Sequence, residues 1–281
     1  MPHLIYQNVS ENKIYEKDHK NIEKAHALEL INKYGTDSLS YLALSNDRHY
    51  FFGHKVEGLV AYRIINKIVI CLGDPICRIH DIEEFINEFK YYCKINKYKI
   101  CFCSISNHTR KFLSEDEFCI SKYGEEALID LWKYEMRGSS TLKLRQKIRK
   151  AEKDGLRVIE YHPKKERDLK LEMEICKISE EWLSHKKSKL NFSVGELQID
   201  SPFGRKYFIS IDKAKKAQAV LVFTPFLQGK GYFLDVMRRK LDATSGTMEH
   251  AIINASLRSK EEGISFISLG VAPLTGIITR G

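Results

Sequence analysis

The sequence predicts an α/β protein with mixed sheets, built as two halves that a basic helix joins. Two segments, 68–105 and 231–270, have the same predicted order of strand, loop, helix and strand, and in both the second strand begins about thirty residues after the first. Antiparallel-looking strands precede each segment, which favours a mixed sheet in each half. Duplication of one α/β unit explains the repetition, although strand–helix–strand order is common enough to recur by chance.

Hydrophobic periodicity and turn residues place the elements of the first half. An amphipathic helix is predicted at 19–34, because apolar residues recur at helical spacing and Gly35 follows as a stop. A Gly-Asp-Pro turn at 73–75 ends one strand, and Gly124 divides the last strand region. The other predicted elements are strands at 49–53, 56–64, 67–72 and 98–105, a helix at 81–96, and two short strands within 117–132.

The second half begins with the basic helix, predicted at 139–154. Ser139 and Ser140 can cap its start, and Gly155 can end it. After it come predicted strands at 156–160, 207–211, 217–225, 230–238 and 264–269, and helices at 165–187 and 246–262. The expected division is an N-terminal domain at 1–136, a connecting helix at 137–155 and a C-terminal domain at 156–281.

Composition restricts the partners and the compartment. Lys and Arg number 46 and Asp and Glu 37 in the 281 residues, a formal charge of +9, which favours an anionic partner such as nucleic acid or an acidic lipid surface. No apolar run is long enough for a membrane-spanning helix, and the N-terminus lacks the apolar core of a secretory signal. The seven cysteines have neither a disulfide nor a zinc spacing, so we expect reduced, mostly buried thiols in a cytoplasmic protein.

Eight short phrases occur in the order found in one known family. They are Tyr34-Gly35 with Asp37-Ser38-Leu39-Ser40-Tyr41, Tyr50-Phe51-Phe52, Val60-Ala61-Tyr62-Arg63, Gly73-Asp74-Pro75, Gly124-Glu125-Glu126-Ala127, Glu181-Trp182-Leu183, Asp235-Val236-Met237-Arg238 and Leu269-Gly270-Val271-Ala272-Pro273-Leu274. Between about residues 24 and 276 the chain resembles the soluble C-terminal domain of the phosphatidylglycerol lysyltransferases, the bacterial aminoacyl-phosphatidylglycerol synthases.

The resemblance implies a fold and a reaction. The fold is two tandem acetyltransferase-like (GNAT-like) domains. In the reaction, an aminoacyl group, lysyl or alanyl, passes from aminoacyl-tRNA to a glycerol hydroxyl of phosphatidylglycerol at the cytoplasmic face of the membrane. Members of the family carry a multi-helix membrane portion before this domain and continue past the Ala-Pro-Leu phrase. Two expectations follow: the chain is a short variant of the family, or its second domain is incomplete at its C-terminus.

The resemblance also assigns Asp235 and Arg238 to an acid and a base of the active centre. On a regular strand these two side chains point to opposite faces, although twist at a strand end can bring both to one cleft. A carboxylate suits the α-ammonium of an aminoacyl ester, or accepts the proton of the attacking hydroxyl. A guanidinium suits a lipid phosphate or a developing oxyanion. The alternative is a structural salt bridge at the strand end.

The basic helix is the second candidate surface. Its first turns carry Lys143, Arg145, Lys147 and Arg149, and Lys150 extends the first of two basic stripes. Such a helix suits the phosphates of the tRNA acceptor end or of a lipid headgroup. A solvated basic face is the other interpretation. A polar loop with Lys186, Lys187 and Lys189 is a weaker candidate for tRNA contact.

No metal or organic cofactor is expected. The turn that would cradle a CoA pyrophosphate reads Arg239-Lys240-Leu241-Asp242-Ala243-Thr244-Ser245-Gly246-Thr247, with one glycine and an aspartate inside it. The histidines show no metal spacing. Glu249 in the first turn of the following helix is a weak substrate-binding candidate, and Gly270 is expected in the cleft wall.

Two other functions remain open from the sequence. One is a CoA-dependent N-acyltransferase of the same fold, and the other is a non-catalytic module that binds tRNA or anionic lipid. The amino acid transferred, the nature of the acceptor and the oligomeric state do not follow from the sequence.

Overall fold

The computed structural model describes residues 3–185 and 195–276, with side chains from residue 19 onward. The chain divides into two compact units, Met1–Ile120 and Ser121–Gly281. Each unit contains one mixed sheet. The prediction of an α/β protein with mixed sheets is therefore confirmed.

The first unit combines one mixed sheet with a long N-terminal helix and two shorter helices among the described residues. Its helices are α1 (His3–Tyr34), α2 (Ile82–Ile95) and α3 (Asn107–Arg110), with 3-10 turns at Ser40–Leu44 and Ile79–Asp81. Its strands are β1 (His49–Phe52), β2 (Gly58–Ile65), β3 (Ile68–Leu72), β4 (Ile76–Cys77) and β5 (Lys99–Cys103). The main order is β1-β2-β3-β5, and β4 pairs beside β2. β1, β2 and β3 are antiparallel neighbours, whereas β3 and β5 are parallel.

The core of the first unit lies under α2. Phe85, Ile86 and Phe89 come from one face of this helix and pack on Val60 and Val69 of the sheet. Three of the seven cysteines are buried, namely Cys71, Cys77 and Cys93, so the expectation of mostly buried thiols is met only in part. The others are at least partly accessible because they lie on the outer strand β5, in a loop or on a helix edge. All seven are free.

A carboxylate orders the Gly-Asp-Pro turn of the first unit. Asp37 Oδ2 accepts the backbone N–H of Asp74 at 2.8 Å, and Asp74 Oδ1 accepts the backbone N–H of Ser106 at 2.8 Å. Gly73 has φ +79°, and a Cβ there would lie 2.4 Å from Asp37 Oδ2. These residues of the family phrases therefore have a structural part in joining β3, β5 and the segment after α1.

The second unit is a six-stranded sheet between two helices. Its strands are β6 (Gly124–Asp130), β7 (Arg157–Tyr161), β8 (Lys206–Ile211), β9 (Ala217–Phe226), β10 (Gly231–Arg239) and β11 (Phe266–Pro273). Its helices are α4 (Leu142–Lys153), α5 (Leu169–Ser184) and α6 (Thr247–Glu261), with a 3-10 turn at Leu227–Gly229. The strand order is β6-β11-β10-β9-β8-β7, in which only β10 and β11 are parallel neighbours.

The two faces of this sheet are covered by different helices. α5 contributes Ile175 and Ile178 to a core that includes Val222 and Val236. On the opposite face, α6 contributes Ala251 and Ala255 to a core that includes Phe208, Phe223 and Leu234. We call these the α5 face and the α6 face. α4 packs on α6, so it lies outside the sheet on the α6 side.

The structure corrects the predicted boundary between the halves. Residues 121–136 were expected in the N-terminal domain, but β6 pairs antiparallel with β11 in the second sheet. The helix expected at 137–155 as a connection is α4, which packs within the second unit instead of standing between two domains. Only one strand forms within 117–132, and α4 begins at Leu142, after both predicted capping serines.

The predicted similarity of the two strand–helix–strand segments is matched in topology. β3-α2-β5 and β10-α6-β11 each join two parallel neighbouring strands, and each follows antiparallel strands. Origin by duplication stays a prediction. No described helix has both the length and the apolar character needed to cross a bilayer.

Candidate active site

The sheet of the second unit opens between its two parallel strands. β10 and β11 pair only from Gly231 with Phe266 to Phe233 with Ser268. Beyond this point β10 follows β9, whereas β11 follows β6 after an irregularity between Ser268 and Val271. The opening therefore begins beside Asp235 on one strand and Gly270 on the other.

Gly270 lies at this irregularity, and its place in a cleft wall stays a prediction. Its φ is +85°, a backbone region that favours glycine. A Cβ there would meet the ring of Phe233 at 3.4 Å. The backbone N–H donates to Ser268 Oγ at 3.2 Å, and that hydroxyl donates to Glu126 Oε1 at 2.5 Å. Gly270 thus shapes this edge of the opening through its backbone.

Asp235 lies at a β-bulge of β10. The pairing with β9 shifts between Leu234 and Val236, and Asp235 is the extra residue. Its Oδ1 lies against Gly195, where a Cβ would be only 2.2 Å away. Its Oδ2 is buried and has no hydrogen-bond partner among the described residues.

Burial raises the pKa of Asp235 from its ordinary value of 3.8 to about 6. The positive charges of Arg205 and Arg238 oppose this rise, and the negative charge of Glu196 adds to it. With a pKa of about 6 the carboxylate is ionised at neutral pH, although its Oδ2 is buried. Such a group suits the binding of a cationic substrate group or the acceptance of a proton.

Arg238 is buried on the α5 face, where it is 4% exposed. It donates to Ser179 Oγ of α5 and, at 2.5 Å, to the backbone carbonyl of Gly195. Its guanidinium lies 5.4 Å from the ring centre of Trp182, a cation–π contact. Burial lowers the pKa of Arg238, and the negative charge of Asp235 opposes this. One of its donors thus holds the backbone at Gly195 next to Asp235, and another contacts α5 through Ser179.

The structure brings Asp235 and Arg238 together without pairing them directly. The Asp235 carboxylate lies against Gly195, and the Arg238 guanidinium donates to the Gly195 carbonyl oxygen. The described part of the chain shows no ion pair between them, so the alternative of a simple strand-end salt bridge does not describe this site. The β-bulge places both side chains on the α5 face. Strand twist, which was expected from the sequence to do this, is not the cause.

The basic side chains of α4 divide into exposed and engaged groups. Lys143 and Arg149 are exposed. Arg145 is half-buried and donates to the carbonyls of Met136 and Gly138 at 3.1 and 3.0 Å. Lys147 pairs with Glu249 at 2.6 Å. Arg145 therefore orders the segment before α4, and Lys147 ties α4 to α6.

Glu249 consequently has a partner within the protein. Burial acts to raise the pKa of Glu249, but the hydrogen bond from Lys147 and the charges around it give a net lowering. The carboxylate thus lies at the contact between α4 and α6.

The turn before α6 is also covered by α4. Gly246 has φ +92°, and a Cβ there would lie 2.2 Å from the Lys147 carbonyl oxygen. Thr244 Oγ1 donates to Asp154 Oδ2 at 2.7 Å. The backbone at the start of α6 therefore packs against α4.

Sequence reasoning missed Ser179, Gly195 and Arg205, which surround the two predicted residues. Arg205 is 7% exposed and its charge acts on Asp235. Lys186, Lys187 and Lys189 lie outside the described residues. Within the described ranges, no cluster of His, Cys, Asp or Glu has the arrangement of a metal site.

Replacing Asp235 by asparagine tests the charged state of this carboxyl. The pKa of Asp235 is higher in the folded state, so the folded protein binds this proton more tightly than the unfolded chain does. The free energy of unfolding therefore decreases as the pH rises through about 4 to 6. Asp235→Asn removes that loss. We expect it to raise the free energy of unfolding at pH 7.5 by on the order of 2–3 kcal/mol, with a much smaller gain at pH 4.

Urea unfolding followed by tryptophan fluorescence measures this effect, since Trp132 and Trp182 both lie in the second unit. Asp242→Asn, at an exposed turn position, is the matched control and should change little at either pH. An Asp235→Asn protein that is less stable than the parent at pH 7.5 would contradict the assignment of a buried, ionised carboxylate.

The sequence matches the family described as phosphatidylglycerol lysyltransferase, C-terminal, over residues 28–281. Two relatives carry the name phosphatidylglycerol lysyltransferase. The Bacillus subtilis protein is 29% identical over 272 residues, covering 95% of this chain, and the Staphylococcus epidermidis strain RP62A protein is 26% identical over 265 residues, covering 94%. The chain spans 31% of the length of each relative.

Solved structures agree with this match. The structure of L-PGS from Bacillus licheniformis is 25% identical, with a TM-score of 0.80 over 90% of this chain and 77% of that chain. A C-terminal domain of a putative lysylphosphatidylglycerol synthetase from Agrobacterium fabrum shares the fold at 20% identity, with a TM-score of 0.79 over 91% of this chain and 80% of that chain. The family match covers most of the chain and includes the bulge residue Asp235 and the opening beside it, so the chain belongs to the phosphatidylglycerol lysyltransferase C-terminal family.

Proposed function

We propose that this chain is the catalytic part of a tRNA-dependent aminoacyltransferase. It moves an aminoacyl group, lysyl or alanyl, from aminoacyl-tRNA to phosphatidylglycerol at the cytoplasmic face of the membrane. The observation that carries the proposal is the buried, ionised Asp235 at the opening of the sheet, in a chain of this family. The names of the relatives support phosphatidylglycerol as the acceptor.

The reaction is an exchange of esters. A glycerol hydroxyl oxygen attacks the carbonyl carbon of the aminoacyl ester, and the bond from this carbon to the ribose oxygen breaks. The proton lost by the glycerol hydroxyl is gained by the ribose oxygen, and nothing is oxidised or reduced. The activated ester supplies the driving force, so the protein acts mainly by holding donor and acceptor in position.

In this proposal Asp235 binds the α-ammonium of the aminoacyl group. Its unpartnered Oδ2 supplies the acceptor, and burial strengthens the attraction between opposite charges. Arg238 acts as a positioning residue, because its contacts with Ser179 and Gly195 fix the backbone against which Asp235 lies. The acetyltransferase-like character of both units is part of the proposal, and the opening between β10 and β11 supports it for the second unit.

A transfer assay tests the reaction. Vesicles of phosphatidylglycerol are mixed with the protein and with tRNA charged separately with labelled lysine or alanine. We expect label in the lipid phase with one of the two amino acids, increasing with pH through about 6 as Asp235 ionises. Asp235→Asn should reduce transfer by at least ~100-fold, since a neutral amide cannot replace a buried counter-charge.

The exposed Asp242→Asn variant is the control for this assay. Binding of charged tRNA without any transfer to lipid would favour the alternative of a non-catalytic module. Transfer retained by Asp235→Asn would overturn the assigned role of this carboxylate.

The basic surface is proposed to bind the phosphates of tRNA or anionic lipid through the exposed side chains of α4. Arg145 is unsuitable for the test because its removal would release the segment before α4. We expect the triple variant Lys143→Gln, Arg149→Gln, Lys150→Gln to weaken tRNA binding about tenfold at low salt and to reduce the salt dependence.

A second triple variant with the same loss of charge provides the control, namely Lys164→Gln, Lys165→Gln, Lys170→Gln on an exposed segment of the same unit. Filter binding at several salt concentrations measures both. Equal loss in the two variants would mean that net charge, and not this helix, determines binding.

We propose that the chain uses no CoA and no metal. The packing of Gly246 against the Lys147 carbonyl supports the absence of CoA, because a pyrophosphate would have to displace α4. Acetyl-CoA at millimolar concentration should leave the melting temperature unchanged, and EDTA should leave transfer unchanged. A clear stabilisation by acetyl-CoA would favour the alternative of a CoA-dependent N-acyltransferase.

A further inference from the structure

Buried polar atoms of Asp235 and of two side chains near it lack the hydrogen-bond partners that buried groups normally have. Arg205 Nε and Nη1, Thr224 Oγ1 and Asp235 Oδ2 are all inaccessible to solvent, and none has a hydrogen-bond partner in the described ranges. An unpaired buried guanidinium is among the more unfavourable arrangements in a protein interior. Since nearly all buried polar groups are satisfied, three together require an explanation.

Strand register and charge place these three groups at one end of neighbouring strands. Tyr207 of β8 pairs with Val222 of β9, and Val222 pairs with Val236 of β10. Thr224 follows Val222 by two residues on β9, so it lies on the α5 face one step further along. Arg205 lies one residue before β8, and its charge acts on Asp235 of β10. The three residues therefore form a polar patch at one end of these neighbouring strands.

Opposite charges in this patch attract each other but do not pair. Arg205 lowers the pKa of Asp235 against the effect of burial, yet no ion pair joins them among the described residues. Each is fixed by its own backbone. Asp235 is set by the bulge, and the Arg205 backbone N–H donates to the Pro202 carbonyl at 2.6 Å in a turn where Gly204 has φ +77°.

Unpartnered donors of Arg205 and an unpartnered acceptor oxygen of Asp235 thus lie near each other on separately fixed segments of backbone. A ligand that carries a cationic group close to a carbonyl oxygen can pair with the Asp235 carboxylate and with the Arg205 guanidinium at the same time. An aminoacyl ester has this chemistry, because its α-ammonium and its carbonyl are borne on adjacent carbon atoms. A simple anion would satisfy Arg205 but would be repelled by Asp235, and a simple amine would satisfy only Asp235.

We propose that Arg205, assisted by Thr224, is a catalytic residue that binds the carbonyl oxygen of the aminoacyl group whose ammonium Asp235 holds. This inference rests on the proposed function and adds to it the group that receives the developing negative charge. When the glycerol hydroxyl attacks, the carbonyl oxygen becomes an oxyanion, and a guanidinium with a hydroxyl beside it stabilises that charge more than the neutral carbonyl.

The role differs from the one that the sequence favoured for Arg238. Arg238 uses Nη1 and Nη2 on Ser179 and Gly195, within the protein. Arg205 has free donor directions, and its charge acts on Asp235. The oxyanion contact predicted for an arginine is therefore transferred from Arg238 to Arg205.

Binding of small amides tests the proposal without tRNA or lipid. Calorimetry compares lysine amide with 1,5-diaminopentane, which has the same two amines but no carbonyl, and alanine amide with ethylamine. The parent protein should prefer one amide over its matched amine. Arg205→Gln should weaken that amide by about tenfold or more, as expected for a hydrogen bond to a charged donor, and leave the matched amine unchanged.

Further variants separate this role from a structural one. Arg205→Lys keeps the charge and should restore part of the preference. Thr224→Val, which preserves the shape of the side chain, should weaken amide binding by a few-fold. This variant provides the test if Arg205→Gln does not fold. Ser210→Ala removes another buried unpartnered hydroxyl from β8, on the α6 face, and should have no effect on either ligand.

The outcomes distinguish the two proposals. Equal weakening of amide and amine, an unchanged preference in Arg205→Gln, or no amide binding by the parent protein overturns the role of Arg205. Transfer to lipid at the parent rate by Arg205→Gln also overturns it and leaves the proposed function standing. Amide preference that depends on Arg205, with no transfer by the parent protein, overturns the proposed function alone.

Discussion

The β-bulge at Asp235 is the constraint on which the site depends. Regular alternation after Leu234 would place Val236 on the α6 face, but the extra residue shifts Val236 and Arg238 to the α5 face together with the carboxylate. Burial of that carboxylate is unfavourable, as its raised pKa shows. The surrounding residues compensate only partly, because Arg238 donates to Ser179 and Gly195, and Arg205 forms no ion pair with this carboxylate among the described residues. A charge kept buried in this way is typical of a site that stores binding energy for a ligand.

Local sequence patterns predicted most elements to within a few residues, because each apolar run ends at a glycine, a proline turn or a polar stop. The domain boundary was wrong for a non-local reason. β6 is paired with β11, which lies more than a hundred residues later in the chain, and no local pattern of Gly124–Asp130 indicates that partner. The same limit applies to α4, whose neighbour α6 is also distant in sequence. Antiparallel edge strands contributed from far along the chain are invisible to periodicity.

The site was predictable in part. Asp235 and Arg238 followed from a family resemblance, whereas strand alternation argued against a shared face because a bulge leaves no clear mark in the residues. Arg205 had a readable signal: it begins the alternation Arg205, Tyr207, Ile209, Ile211, in which a charge starts an otherwise apolar face. Glu249 shows the opposite error. Its position in a first helical turn suggested a ligand site, but its carboxylate forms an ion pair with Lys147 of α4.

The separation of β10 from β11 has a consequence for the evolution of specificity. Past Phe233 and Ser268 the facing edges of these strands no longer use their N–H and C=O groups on each other. Main-chain groups at such an edge can hold an extended donor in the manner of an added strand. Substitutions do not remove backbone contacts, so side chains further from the opening are free to change. For the proposed aminoacyl transfer, selectivity for one amino acid over another can then change while these backbone contacts are retained.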